Sequence, residues 1–203
     1  SNYPASLRKI LAAFDEPFAG VVSTYFLSQR IAQHVKVAVA GDGADELFGS
    51  YRSHRMAADA LANPDLSRVP DWNWRAGLLV MSEEEKAALY SPDVRLALKG
   101  ISTREHLRLV FEDLTARDRL NRMLEAEFRG IFPDQVLTFV DRLSMAHSLE
   151  VRSAFLDTEV VEYVASLPGS LKIRNGETKY LLKRAAARYF PDEMINRPKE
   201  GFL

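Results

Sequence analysis

The sequence contains no cysteine, which excludes disulfides, thiolate metal sites and a cysteine nucleophile within its 203 residues. No apolar run approaches the ~20 residues that a membrane-spanning helix requires. The first residues also lack the basic, then apolar, then small-residue order of a secretory signal peptide. Together these absences predict a cytoplasmic protein that makes no contact with a membrane.

Charge and histidine spacing exclude two further classes of protein. Lys and Arg total 27 against 28 for Asp and Glu, so the chain offers none of the basic excess typical of nucleic-acid binding. His34, His54, His106 and His147 show no metal-ligand spacing, and no zinc-type site is predicted. The hydrophobic fraction of 47% is typical of a globular chain with a sizeable core.

Hydrophobic periodicity predicts a mostly helical chain with a single good strand at Val35–Ala40, where β-branched residues alternate. Helices are predicted over 5–14, 23–33, 103–128, 158–167 and 179–190, and over a segment opened by Pro133 with an apolar stripe of Val136, Phe139, Val140 and Leu143. Because one strand cannot form a sheet, we expect the chain to be a fragment of an α/β domain whose other strands lie elsewhere.

The first candidate site is the run Gly41-Asp42-Gly43-Ala44-Asp45-Glu46, which follows the predicted strand directly. A strand, a glycine turn and a helix start can bind an anion, because glycine lets the backbone approach closely. Carboxylates would repel a bare phosphate, so a divalent cation such as magnesium is the expected mediator. The alternative is a tight turn with Asp45 as a helix cap, which a short glycine motif alone favours.

The second candidate site is the charged segment 141–157. Ion pairs are predicted between Asp141 and either Arg142 or Arg152, and between Glu150 and Arg152, because buried charges must be paired. Spacing alone favours a structural network over a catalytic one.

Two lysines form the remaining candidates. Lys179 begins a predicted helix, where it can stabilise charge on a phosphoryl group or be a solvated surface lysine. Lys199 lies in the basic tail 196–203, which can cover an anionic substrate or be a frayed end.

Taken in order, these segments resemble the asparagine synthetase family over nearly the whole chain. The matching segments are 15–18, 37–48, 141–157, 179–182 and 197–202, of which 141–157 is the most specific. The resemblance implies an α/β adenine-nucleotide hydrolase-like (ATP-pyrophosphatase) domain. Residues 1–203 would be its C-terminal portion, mostly α with a short parallel-strand remnant.

The resemblance implies an ATP-dependent carbon–nitrogen ligase. Such an enzyme joins the side-chain carboxylate of aspartate to AMP, expels pyrophosphate and uses ammonia that an N-terminal glutaminase domain releases from glutamine. Members of the family often form homodimers.

The resemblance also assigns a role to each candidate residue. Those that would bind ATP or pyrophosphate are Gly41, Gly43 and Asp45, with Asp45 holding magnesium. Those that would act in catalysis are Asp42, near the reacting carboxylate, and Lys179, on the phosphoryl transition state. Those that would support or close the substrate pocket are Asp141, Glu150, Arg152 and Lys199.

The chain departs from the family pattern in several places. The SGGxDS-like phosphate loop and the glutaminase domain are absent from the 203 residues, so we expect the isolated chain to be unable to make asparagine. Ala40 replaces a frequent serine, Ser50 a frequent glycine, and Ser153-Ala154 a usual Val-Pro. These departures bear on substrate identity more than on reaction class.

Two alternatives stay open: a relative that closes a β-lactam or peptide macrolactam by the same adenylation, and a non-catalytic helical interaction module.

Overall fold

The structure is a computed structural model that describes residues 3–16, 22–63, 65, 68–76 and 79–197. Helices dominate these residues. The α-helices are α1 Tyr3–Leu11, α2 Ser23–Ile31, α3 Ala44–Phe48, α4 Arg52–Ala62, α5 Asp71–Ala76, α6 Glu83–Leu89, α7 Pro92–Ala97, α8 Thr103–Glu112, α9 Arg119–Arg129, α10 Thr138–Met145, α11 Thr158–Ser166, α12 Tyr180–Ala186 and α13 Asp192–Ile195. A π-helical segment spans Phe132–Leu137, and short 3-10 turns span Ala154–Leu156 and Gly169–Leu171. Within the part of the chain described here, no helix combines the length and apolar character needed to cross a bilayer.

Two strands, β1 (Val37–Ala40) and β2 (Glu150–Ser153), pair in parallel. The predicted mostly helical class with a short parallel sheet is therefore confirmed. The prediction of a lone strand was incomplete, because 150–153, which was predicted only as part of a charged network, forms a second strand. Val39 on β1 remains 77% exposed, although strands of parallel sheets are usually covered on both faces.

The described residues within 1–47, 128–166 and 183–203 form one compact unit, which contains the sheet. Its core includes buried Ile10, Tyr25, Phe139 and Leu143, where α10 packs on α2. Phe139 and Leu143 belong to the predicted apolar stripe, and the other two members of that stripe pack against the same core. The helical periodicity of this segment is thus confirmed.

The described residues within 48–127 and 167–182 form a second unit. Its core residues come from α4, α8, α9 and the segments that follow α8 and precede α12. They are Ala57, Ala60, Phe111, Leu114, Leu120, Met123, Leu124 and Ile173.

The single helix predicted over 103–128 is wrong, because the chain breaks between α8 and α9. The Glu125 carboxylate of α9 accepts hydrogen bonds from two backbone amides of the connecting segment, that of Thr115 at 3.0 Å and that of Ala116 at 2.8 Å. Asp118 Oδ1 accepts from the backbone amide of Asn121 at 2.9 Å, which satisfies one of the amides at the start of α9. Apolar residues continue the helical spacing across the break, so periodicity alone does not reveal it.

Candidate functional site

Both strands of the sheet end at the same edge, and the candidate turn directly follows β1. The register pairs Ala40 with Ser153, so Gly41 and Ala154 are the first residues beyond the two strands. Ligands of open α/β sheets bind outside the carboxyl ends of parallel strands. The turn at 41–45 therefore occupies the position at which such a sheet presents a ligand.

The turn has a defined backbone geometry. Gly43 is buried with φ +88°, a conformation that residues with a Cβ rarely adopt. The amide of Ala44 donates to the Gly41 carbonyl at 3.3 Å, and that of Leu47 donates to the Gly43 carbonyl at 2.9 Å. Helix α3 begins at Ala44, so Asp45 lies within its first turn rather than at the N-cap position.

Ser153 ties the end of β2 to this turn, because its hydroxyl donates a hydrogen bond to the backbone carbonyl of Asp42. In the sequence, Ser153 is recognisable only as a departure from the family's usual valine. A valine has no donor and could not make this contact. The departure itself was the available signal, since a hydroxyl at a strand end can bond a neighbouring turn.

Asp42 and Asp45 place two carboxylates in one short turn. Burial raises the pKa of Asp42, a hydrogen bond from its own backbone amide opposes that shift, and the negative charge of Asp45 raises the pKa further. The two acids thus repel each other, and a bound cation would relieve that repulsion.

The donor set of the turn suits a magnesium ion that arrives with a nucleotide. Within the described ranges, no group of three or more His, Cys, Asp or Glu side chains is arranged to hold a metal. Magnesium is commonly bound by one or two carboxylates together with substrate phosphates and water. The Asp45 carboxylate of the turn meets that requirement without a dedicated protein cage.

In the segment 141–157 one predicted ion pair is confirmed. Arg152 Nε lies 2.7 Å from Glu150 Oε1. Asp141 was expected to pair with Arg142 or Arg152, and this is wrong: Arg142 Nη2 instead lies 2.8 Å from Asp15 Oδ2. All of these side chains are exposed, so the pairs add little to stability.

Lys179 lies immediately before α12 and has φ 53°, in the left-handed region. Its backbone amide donates to the Gly49 carbonyl at 3.1 Å. The side chain is half-buried. Lys179 thus has a fixed backbone position within the second unit.

The predicted site residues divide between the two units. The first unit contains Gly41, Asp42, Gly43, Asp45, Asp141, Glu150 and Arg152, and the second contains Lys179. Lys199 lies outside the described residues.

The model of the asparagine synthase family matches residues 1–203. The chain belongs to the asparagine synthase family. It is 30% identical to "Asparagine synthetase [glutamine-hydrolyzing] 1" of Bacillus subtilis, over 99% of this chain and 36% of that protein. It is also 30% identical to a "Putative asparagine synthetase [glutamine-hydrolyzing]" of Mycobacterium tuberculosis, over 99% of this chain and 35% of that protein. A protein named "Amidase chyE" of Penicillium rubens is 26% identical, over 85% of this chain and 32% of its own length. The chain therefore spans about a third of the length of these family relatives.

Replacement by alanine should affect the stability of the protein differently at the two glycines of the turn. At Gly43 a Cβ would lie 2.6 Å from Leu156 Cδ2, and an L-residue in the left-handed region costs about 1–2 kcal/mol. At Gly41 nothing lies within 4 Å of an added Cβ. We expect Gly43→Ala to lower the thermal unfolding midpoint of the full-length protein and Gly41→Ala to leave it nearly unchanged. Calorimetry of both variants tests this, and equal midpoints would contradict the geometry of the turn.

Proposed function

We propose that the full-length protein is an ATP-dependent amide ligase of the asparagine synthetase type. It adenylates the side-chain carboxylate of aspartate and transfers ammonia from glutamine, yielding asparagine, AMP and pyrophosphate. The observation that supports this most directly is the family membership of residues 1–203 together with a carboxylate-bearing turn at the carboxyl end of a parallel strand pair.

The proposed reaction needs no nucleophilic side chain, in keeping with a chain that has no cysteine. A carboxylate oxygen of aspartate attacks the α-phosphorus of ATP, and the bond from that phosphorus to the bridging oxygen breaks to release pyrophosphate. Ammonia then adds to the acyl carbon, loses a proton and expels AMP. Such steps depend on positioning and on stabilising charge at phosphate oxygens.

Each proposed residue has a distinct task. Magnesium, when bound with the nucleotide, neutralises phosphate charge, and Asp45 would hold it. Gly41 and Gly43 let the backbone approach the phosphates, and Asp42 faces the reacting carboxylate. Lys179 stabilises the charge that develops on the phosphoryl oxygens.

Three exposed charged residues of the segment 141–157 and Lys199 of the tail complete the proposed site. Asp141, Glu150 and Arg152 support the wall of the substrate pocket, and Lys199 closes over the substrate. We assign residues 1–203 as the C-terminal portion of the synthetase domain. The leading phosphate loop and a glutaminase domain would then belong to the remainder of the parent protein.

The test is aspartate-dependent exchange of labelled pyrophosphate into ATP by the full-length protein. Exchange that requires aspartate, and that glutamate does not replace, is the expected result, because only an adenylated carboxylate returns label to ATP. If aspartate produces no exchange while the folded protein binds ATP, the asparagine synthetase assignment is wrong.

A second candidate is the same adenylation applied to another carboxylate. The Ser153-Ala154 departure from the family pattern supports this candidate, because it bears on substrate identity more than on reaction class. Exchange supported by a different acid, but not by aspartate, would identify this case.

A further inference from the structure

Lys172 is a charged residue in the interior of the second unit. Its side chain is 2% exposed, and its Nζ donates a hydrogen bond to Asn121 Oδ1 at 2.7 Å. Burial lowers the pKa of Lys172 to about 8, and the charge of Asp118 opposes that shift. A buried ammonium group lowers the stability of the fold unless hydrogen bonds or opposite charges compensate for its lost hydration.

The acceptor of this hydrogen bond is itself held in place. Asn121 Nδ2 donates to Asp118 Oδ2 at 2.7 Å and to the Leu167 carbonyl at 2.9 Å. The amide of Gly169 also donates to Asp118 Oδ2, at 3.3 Å. Both hydrogens of Asn121 Nδ2 are donated to these acceptors, which fixes the orientation of the side-chain amide. Its Oδ1 therefore faces Lys172. The three side chains connect the start of α9 to the segment that leads to Lys172.

Lys172 begins a hairpin that ends at Lys179 and Tyr180. The amide of Tyr180 donates to the Lys172 carbonyl at 2.8 Å, which closes the hairpin. Its tip is Asn175-Gly176, with φ of 52° and 78°, the pair of left-handed residues typical of a type I′ turn. The residue before Tyr180 is therefore placed by the same contacts that hold Lys172.

We propose that Lys172, together with Asn121 and Asp118, is a positioning residue for Lys179. The network attaches one arm of the 172–180 hairpin to α9, and the Lys172–Tyr180 hydrogen bond transmits that placement to the other arm. This inference rests on the proposed role of Lys179. Its structural half, the fixing of the hairpin, is independent of that role.

Several features of the geometry favour positioning over simple core packing. A methionine or leucine would fill the same volume without the cost of a buried charge. The ammonium group instead makes a directional contact, and its partners also hold the backbone at 167–169. A displacement of about 1 Å at a catalytic group can lower a rate on the order of a hundredfold.

The test compares Lys172→Met with Lys99→Met in the full-length protein. Lys99 is exposed in the same unit, so it controls for loss of one lysine charge. We expect Lys172→Met to lower kcat for pyrophosphate exchange on the order of tenfold with a smaller change in KM for ATP. Hydrogen exchange of peptides that cover 172–180 should become faster in the same variant. Lys99→Met should change neither quantity.

Two outcomes would overturn the proposal. The first is an unchanged kcat in Lys172→Met. The second is a lower kcat with unaltered hydrogen exchange over 172–180. If Lys172→Met does not fold, Asn121→Ala removes the acceptor and must show both effects. Should Lys179→Ala retain full exchange activity, the proposed function of Lys179 fails. The hydrogen-exchange comparison then still decides whether the network holds the hairpin.

Discussion

Replacing Lys179 with alanine should lower kcat for aspartate-dependent pyrophosphate exchange on the order of 10²- to 10³-fold, with little change in KM for ATP. Charge accumulates on the phosphate oxygens in the transition state, so loss of an aligned cation affects that state more than the bound ground state. The backbone around Lys179 supports such alignment. The amide of Lys179 donates a hydrogen bond to the Gly49 carbonyl, and the amide of the adjacent Tyr180 donates one to the Lys172 carbonyl. Steady-state exchange by the full-length protein measures both constants.

The control for this variant is Lys99→Ala, which removes an exposed lysine from the same unit. A tenfold or greater rise in KM at constant kcat would make Lys179 a ground-state contact to ATP instead. An activity equal to that of the unaltered protein would remove Lys179 from the mechanism. Measurement of kcat and KM is sufficient to distinguish these three results.

Replacing Asp45 with asparagine should lower exchange on the order of a hundredfold and raise the magnesium concentration that gives half-maximal rate. Asparagine keeps the shape of the side chain but removes the charge that would hold the cation. The pKa of Asp42 should also fall, because the charge of Asp45 contributes to raising it. Activity titrated with magnesium chloride at fixed ATP tests the prediction.

Asp93→Asn is the matched control, since Asp93 also lies in the first turn of a short helix and is exposed. It changes the same chemical group in a similar helical position. A lower rate of Asp45→Asn with an unshifted magnesium requirement would assign Asp45 to the architecture of the turn. A shift with Asp93→Asn as well would indicate a general effect of charge.

Much of the fold was predictable from local patterns. The period of the apolar residues placed Phe139 and Leu143 in the core, and the β-branched run located β1. β2 was not predicted because its four residues, Glu150-Val151-Arg152-Ser153, include one apolar side chain and so show no clear alternation. The break between α8 and α9 depends on Glu125, which bonds amides about ten residues earlier in the chain. Periodicity carries no information on such a contact.

The candidate site was predictable in part. The glycine turn could be recognised because Gly41 and Gly43 directly follow a strand. The partner of Arg142 could not, because Asp15 is 127 residues distant in sequence. The buried position of Lys172 was equally unpredictable, since lysine is almost never fully buried. A contact between segments remote in sequence, such as that of Arg142 with Asp15, leaves no local pattern from which it could be predicted.

At Lys179 the left-handed backbone conformation lowers the stability of the protein, whereas the proposed mechanism needs the lysine side chain. An L-residue with a Cβ costs about 1–2 kcal/mol in this region, whereas glycine adopts it readily. Glycine would adopt this conformation without that cost, as it does at the turn residues Gly43 and Gly176. On the proposed mechanism a lysine is retained at that cost. Screens that select variants only for thermal resistance should accumulate inactive proteins changed at this position.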